Sequence, residues 1–248
     1  MNEQFGRVRV LIGNEACDRL ARSHVVVVGF GAVGSFAAEA LVRSGIGHVR
    51  IMDADVYEPT NMNRQLGADT DSMGQAKVEV GGRHLKKINP GLDLECVEAF
   101  IQEDSVSLVT RPFDSDGCTP DVIIDAIDTI DAKLAVLVHC HRLNIPTLSS
   151  MGAARKIHPE LIRFGDISGT EVCPLAREVR KRLRKAGIAS GIKCVYSLEH
   201  VVESTHASRD PGAVSVVHRP QLGSLVTVTG SFGLRLAAEC MHLLSSMN

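Results

Sequence analysis

The sequence predicts an α/β protein: a doubly wound, mostly parallel sheet followed by an α+β extension. Three observations carry this expectation. Residues 25–28 form an unbroken valine run closed by Gly29, as expected of a strand buried on both faces. A glycine-rich turn follows and leads into an apolar helical pattern. Strand-like and helix-like stretches then alternate as far as residue 149, and such an alternation folds into parallel strands with helices on both faces.

The elements are expected as follows. Residues 3–22 read as one or two short amphipathic helices. After the strand at 25–28 come a helix at 33–44 and a second strand at 49–53. A helix over 73–88 is stopped by Asn89-Pro90. Strands follow at 92–97 and 121–125, then a helix at 131–143 and a short strand at 145–148. Beyond residue 150 the rhythm changes. Strands are expected at 161–164 and 194–197, with a basic helix at 174–186 between them. Residues 203–221 hold Gly, Pro, Ser, His and Asp without periodicity, and read as a long loop of the kind that is uncommon unless mobile or functional. The division implied is a nucleotide-binding domain over 1–150 and an extension over 151–248.

Composition bounds the function. The chain has 248 residues, 44% hydrophobic and 23% charged, which suits a globular domain with a full core. The net charge of -2 excludes a global basic field, so contact with nucleic acid needs a local patch. Seven cysteines are scattered, with no C-x-x-C pair, which argues against a disulfide framework and a four-cysteine zinc site. Each cysteine reads as a small buried apolar residue. No signal-peptide pattern is present, so a cytoplasmic location is expected. The apolar run at 222–244 contains Arg235 and Glu239 at helical i,i+4 spacing, and reads as a buried core helix. A membrane-associated tail is the alternative.

The first candidate site is Gly29-Phe30-Gly31-Ala32-Val33-Gly34, a G-x-G-x-x-G placed after a strand and before a helix. Its glycines let backbone approach a phosphate, and the helix start offers free N–H groups. Asp53 ends the second strand about 20 residues on, where an acid accepts from ribose hydroxyls. This Rossmann-like pattern does not choose between a nicotinamide cofactor and ATP. The next segment does: Asp53, Asp55, Asn61, Arg64 and Gln65 are followed by Lys77 at a helix start. Arg64 and Lys77 can neutralise β- and γ-phosphates, which nicotinamide cofactors lack. Asp125 and Asp128, at the end of the fourth strand, are expected to face the same crevice. Asp128 is the preferred Mg2+ ligand, because Asp125 can instead complete the strand end or cap the next helix. Arg177, Arg180, Lys181, Arg184 and Lys185 fall on one helix face and form the candidate cationic patch, with Arg155 and Lys156 as candidates to extend it.

Taken together, G-x-G-x-x-G, D-x-D, N-x-x-R-Q, the Lys77 helix start and D-x-x-D resemble the ThiF/MoeB/HesA superfamily, relatives of ubiquitin-activating enzymes. Within it the chain is most similar to the tRNA threonylcarbamoyladenosine dehydratase group, through Phe5-Gly6 and residues 44–47, 60–65, 87–90, 122–128, 166–167, 194–197 and 229–233. The resemblance implies an ATP-dependent enzyme that adenylates a carboxylate on a modified adenosine in the tRNA anticodon loop. It implies ATP and Mg2+, with a monovalent cation as a further candidate, and catalytic roles for Arg64, Lys77, Asp128 and Arg7. Arg7 matches an N-terminal arginine that reaches the ATP of a partner subunit, so a homodimer is implied. A sulfur-transfer or cysteine desulfurase partner is a further candidate, and no obligate membrane partner is expected. The competing expectations are an activator of a ubiquitin-like or sulfur-carrier protein, and a nicotinamide oxidoreductase.

Overall fold

The computed structural model describes residues 3–201 and 222–246. The loop expected over 203–221 therefore lies outside the described residues. In chain order the elements are α1 (Gly6–Ile12), α2 (Asn14–Arg22), β1 (His24–Val28), α3 (Gly34–Arg43), β2 (His48–Met52), α4 (Lys77–Ile88) and β3 (Asp93–Val97). They continue with α5 (Ser107–Thr110), β4 (Val122–Asp125), α6 (Ile130–Arg142), β5 (Thr147–Ser150), β6 (Ile162–Asp166), α7 (Pro174–Lys185), β7 (Lys193–Ser197) and α8 (Val226–Ser246).

Seven strands form one sheet in the order β3-β2-β1-β4-β5-β7-β6, parallel except for β6, which runs antiparallel to β7. The chain leaves β1 toward β2 and β3, then crosses back to place β4 on the other side. The strand order thus reverses between β1 and β4, and in such sheets ligands sit beyond the carboxyl ends at that point.

The valine run explains the layers. Side chains alternate across a strand, so Val25 and Val27 enter the core beneath α3, α4 and α8, while Val26 and Val28 enter the core beneath α5 and α6. All five residues of β1 are buried. A third apolar cluster joins α6 to α7 through Leu137, Val179, Leu183 and Cys194. The segments on either side of residue 150 share one sheet, and α8 lies on α3 and α2 within the first core. A Cβ at Gly233 would stand 2.3 Å from the Val33 carbonyl oxygen, so the α3–α8 crossing requires glycine there. With Phe232, Leu236, Cys240 and Leu244 buried, α8 is a core helix, and no described helix is long and apolar enough to cross a membrane.

Three expectations shift. Helix α4 starts at Lys77 rather than at residue 73, because residues 73–76 bridge to Val56 and Tyr57 and hold the preceding loop against the sheet. Strand β5 covers 147–150 rather than 145–148: Ser149 and Ser150 look like loop residues, yet they pair with Cys194 and Val195. Cys96 and Cys118 are exposed, whereas the other five cysteines are buried.

Candidate active site

A crevice of about 900 Å³ opens at the carboxyl ends of β1, β2, β4 and β5. Gly29 starts the turn after β1 with φ +90°, and a Cβ on it would lie 2.9 Å from the Ala126 backbone. Gly34 opens α3 so close to the turn that a Cβ would fall 1.8 Å from the Gly29 oxygen. Gly31 faces the crevice, and its nearest neighbour is the Gln65 amide, 3.8 Å from where a Cβ would be. Two glycines therefore shape the turn and one leaves room for a ligand.

Asp53 leaves β2 beside this turn. Its Oδ2 accepts from the Phe30 N–H at 2.7 Å and its Oδ1 from the Asp55 N–H at 2.9 Å. Burial raises its carboxyl pKa above the ordinary value, against the opposing pull of Lys77. Lys77 is 5% exposed and donates to Asp55 Oδ2 at 2.8 Å, while the Asp55 carboxylate is two-thirds exposed. A phosphate can replace that exposed partner without leaving the lysine unpaired. Arg64 is half-buried and is braced by the Thr60 carbonyl at 2.7 Å and Asn63 Oδ1 at 2.8 Å, through one nitrogen. Its guanidinium keeps further donors for the crevice. Gln65 Oε1 is buried with no hydrogen-bond partner among the described residues. An orphan of this kind calls for an explanation, and a ligand donor in the adjoining crevice supplies one.

Asp128 lines the crevice, is exposed, and makes no hydrogen bond or ion pair among the described residues. Asp125 does not face the crevice, contrary to expectation. It is fully buried, accepting from Lys133 Nζ and Ser149 Oγ at 2.6 Å each and from the Ile127 N–H at 3.1 Å. Its oxygens are committed to fixing the tip of β4, so that Asp128 is presented.

The crevice brings together Gly29, Gly31, Asp53, Asp55, Arg64, Gln65, Lys77 and Asp128. Asn61 stands outside its lining: it is buried, and its Oδ1 accepts from the Glu58 N–H at 3.1 Å, capping the turn that carries Arg64. Gly34 also lies outside it, as the helix start behind the loop. Arg7 is exposed on α1, away from this chain's own crevice.

Among the basic residues, Arg177, Lys181, Arg184 and Lys185 are exposed on α7. Arg180 is not free: its guanidinium binds the Thr170 carbonyl at 2.8 Å and the Thr170 hydroxyl, pinning the turn at Ile167–Gly169. Lys156 is buried and donates to the Glu199 carbonyl at 2.9 Å, so it extends no surface patch. Arg155 points from the crevice wall instead, with a left-handed backbone (φ +60°) held by its N–H on the Gly223 carbonyl.

Sequence reasoning missed the wall at 150–156 and the apolar side at 99–101, which includes the exposed Phe100. The available signal was positional, since both stretches directly follow strand ends. Cys173 and Cys194 are both buried. Burial pushes the Cys194 thiol up to about 12, which keeps it protonated.

The chain is 41% identical over 199 residues to the tRNA threonylcarbamoyladenosine dehydratase of Bacillus subtilis (strain 168), covering 80% of this chain and 76% of the relative. The crystal structure of the E. coli tRNA N6-threonylcarbamoyladenosine dehydratase TcdA in complex with AMP superposes with a TM-score of 0.85 at 33% identity, covering 98% and 94%. The same enzyme in complex with ATP gives 0.83 at 34%, covering 98% and 93%. The sequence pattern of the ThiF family matches residues 5–248, and the chain belongs to that family.

Proposed function

We propose that this protein is an ATP-dependent tRNA threonylcarbamoyladenosine dehydratase. The observation that carries the reading is the crevice at the strand-order reversal, where Lys77, Arg64 and the exposed Asp128 surround a glycine turn. It is supported by the likeness to TcdA bound to ATP and to AMP. The threonyl carboxylate attacks the α-phosphate of ATP, forming an acyl-adenylate and releasing pyrophosphate. The carbamoyl group then attacks the activated carbonyl, AMP leaves, and a ring closes with net loss of water.

This chemistry asks little of acids and bases. A carboxylate is already nucleophilic, and AMP is already a competent leaving group. The barrier lies in bringing two anions together, so positioning and cationic clamps dominate. Arg64 and Lys77 supply those clamps, Asp53 holds the ribose, and Gly29 and Gly31 leave backbone against the phosphates. Asp128 fits Mg2+, being an exposed carboxylate at the crevice with no partner among the described residues; bound there, the ion would offset phosphate charge. Removing one clamp, as Arg64→Ala or Lys77→Ala, costs on the order of 3 kcal/mol in activation free energy. The check is mass spectrometry of nucleosides from tRNA incubated with protein and ATP. A product lighter by one water is expected, formed about a hundredfold more slowly by each variant. Unaltered turnover in both variants would remove the role assigned to them.

The tRNA approaches over α7. Cys173, Pro174 and Leu175 line the crevice, and the exposed Arg177, Lys181, Arg184 and Lys185 lead outward from it. Phosphates tracking that face would bring a base to the crevice mouth. The working unit is a homodimer: α1 exposes Val10 (90%) and Leu11 (84%), which share a helix face with Arg7 at i+3 and i+4. Covering that face with a second copy carries Arg7 to the neighbouring crevice. A sulfur-transfer or desulfurase partner would act outside these steps, which use no thiol. The enzyme's expected location is the cytoplasm, where its tRNA substrate resides.

A further inference from the structure

At the opposite edge of the sheet, where β1 and β2 begin, a second group of chemistry-bearing side chains meets. His24 and His48 open the two strands and are register partners. Their rings stack with centroids 4.0 Å apart and an interplanar angle of 19°. Asp116 reaches them from the 113–118 turn, its Oδ2 lying 2.8 Å from His24 Nε2. Ligand atoms from these three residues lie within 4.8 Å of one another.

The surroundings are built to hold this arrangement. The turn is closed by the Phe113 N–H to the Cys118 carbonyl at 2.8 Å and the Gly117 N–H to the Phe113 carbonyl at 2.9 Å. Phe113 is buried edge-on against His24. The fully buried Arg50 covers that ring and binds the Arg111 and Pro112 carbonyls at 2.8 and 2.9 Å. Asp116 is therefore presented from a braced loop rather than a loose one.

Each imidazole also has a carboxylate at its other nitrogen. His48 Nδ1 lies 2.8 Å from Asp93 Oδ2, and His24 Nδ1 lies 3.8 Å from Asp121 Oδ2. A histidine that ligates a metal through one nitrogen characteristically has a carboxylate or carbonyl on the other, which fixes the tautomer and raises ligand basicity. If His48 donates Nδ1–H to Asp93, its Nε2 carries the free lone pair. Between His24 Nε2 and Asp116, a cation would displace the shared proton. Two imidazoles and a carboxylate suit Zn2+ rather than Mg2+ or Ca2+.

We propose that His24, His48 and Asp116 form a Zn2+ site that clasps the 113–121 loop to the start of β1 and β2. Binding requires His48, the more exposed ring, to tilt out of the stack toward the cation. The site lies at the far ends of the strands that carry the nucleotide turn, roughly 13 Å away along a five-residue strand. It does not depend on the catalytic reading.

The test is titration of the EDTA-treated, dialysed full chain with Zn2+ by calorimetry, together with Co2+ absorption spectra. One Zn2+ per chain is expected, with Co2+ bands of low-symmetry coordination and a rise in Tm on adding Zn2+. His48→Ala and Asp116→Asn, both at solvent-accessible positions, should each weaken Zn2+ binding by more than tenfold. Asp93→Asn should weaken it by about 10–100-fold through the ring it orients. ATP affinity should stay unchanged in all three. Absence of Zn2+ binding by the wild-type chain would overturn the proposal. So would unchanged Zn2+ affinity in folded His48→Ala and Asp116→Asn, with circular dichroism and ATP binding reporting the fold.

Discussion

Asp125 and Asp128 are three residues apart, and their roles diverge because of a lysine that looks ordinary in the sequence. Lys133 sits on α6, where a lone lysine normally reads as solvated, yet it is fully buried against Asp125 and Ser149. Register pairs Asp125 with Ser149 across β4 and β5, so the carboxylate gains a hydroxyl as well as an ammonium. Removing one member of a buried ion pair strands the other charge and costs about 3–5 kcal/mol, whereas removing both can cost far less. We therefore expect Asp125→Asn and Lys133→Met each to lower stability strongly, and the double variant to lie above at least one single variant. Urea denaturation of the three proteins checks this, and additive losses would refute a dedicated pair. Asp53 and Asp128 are legible because each closely follows a strand end, and Arg64 and Lys77 because one sits in an N-x-x-R-Q motif and the other at a helix start. The inward turn of Asp125 is not, since it depends on partners 8 and 24 residues away.

At the scale of elements, helical periodicity gave the basic face of α7 correctly for four side chains and wrongly for Arg180. The period places Arg180 on the edge of that face, and the Thr170 carbonyl and hydroxyl then draw it inward. The start of α4 and the span of β5 depart from the local pattern for a related reason. Bridges to Val56 and Tyr57 and pairing with β7 outweigh local preference. The two classes of basic residue should separate experimentally. Lys181→Glu with Arg184→Glu should leave Tm near wild type, weaken tRNA binding and flatten its salt dependence, since each lost phosphate contact removes about 0.7–0.9 from the log–log slope. Arg180→Ala should instead lower Tm by loosening the turn at Ile167–Gly169. Binding isotherms at several salt concentrations, with thermal melts alongside, distinguish the two. An unaltered salt slope in the double variant would take α7 out of the tRNA path.

The whole molecule presents two ends of one sheet, with nucleotide chemistry at the carboxyl edge where the order reverses between β1 and β4. Alternation of elements made that edge foreseeable. The proposed pairing of copies rests instead on the Arg7 resemblance and on Val10 and Leu11, exposed on a short helix with no motif of their own. If two copies meet through that face with two-fold symmetry and each Arg7 reaches its neighbour's crevice, the two crevices exchange arginines reciprocally. The consequence is specific. Arg7→Ala leaves the crevice whole but deprives the partner, whereas Lys77→Ala disables its own crevice but still lends an arginine. Mixed one to one, with subunit exchange, half of the dimers are hybrids, each holding one complete site. Activity should then recover to about a quarter of the wild-type value from two nearly inactive parents. Dehydration assayed before and after exchange reads this directly. If each Arg7 served its own chain's crevice, no hybrid would hold a complete site and the mixture would stay at the parental level.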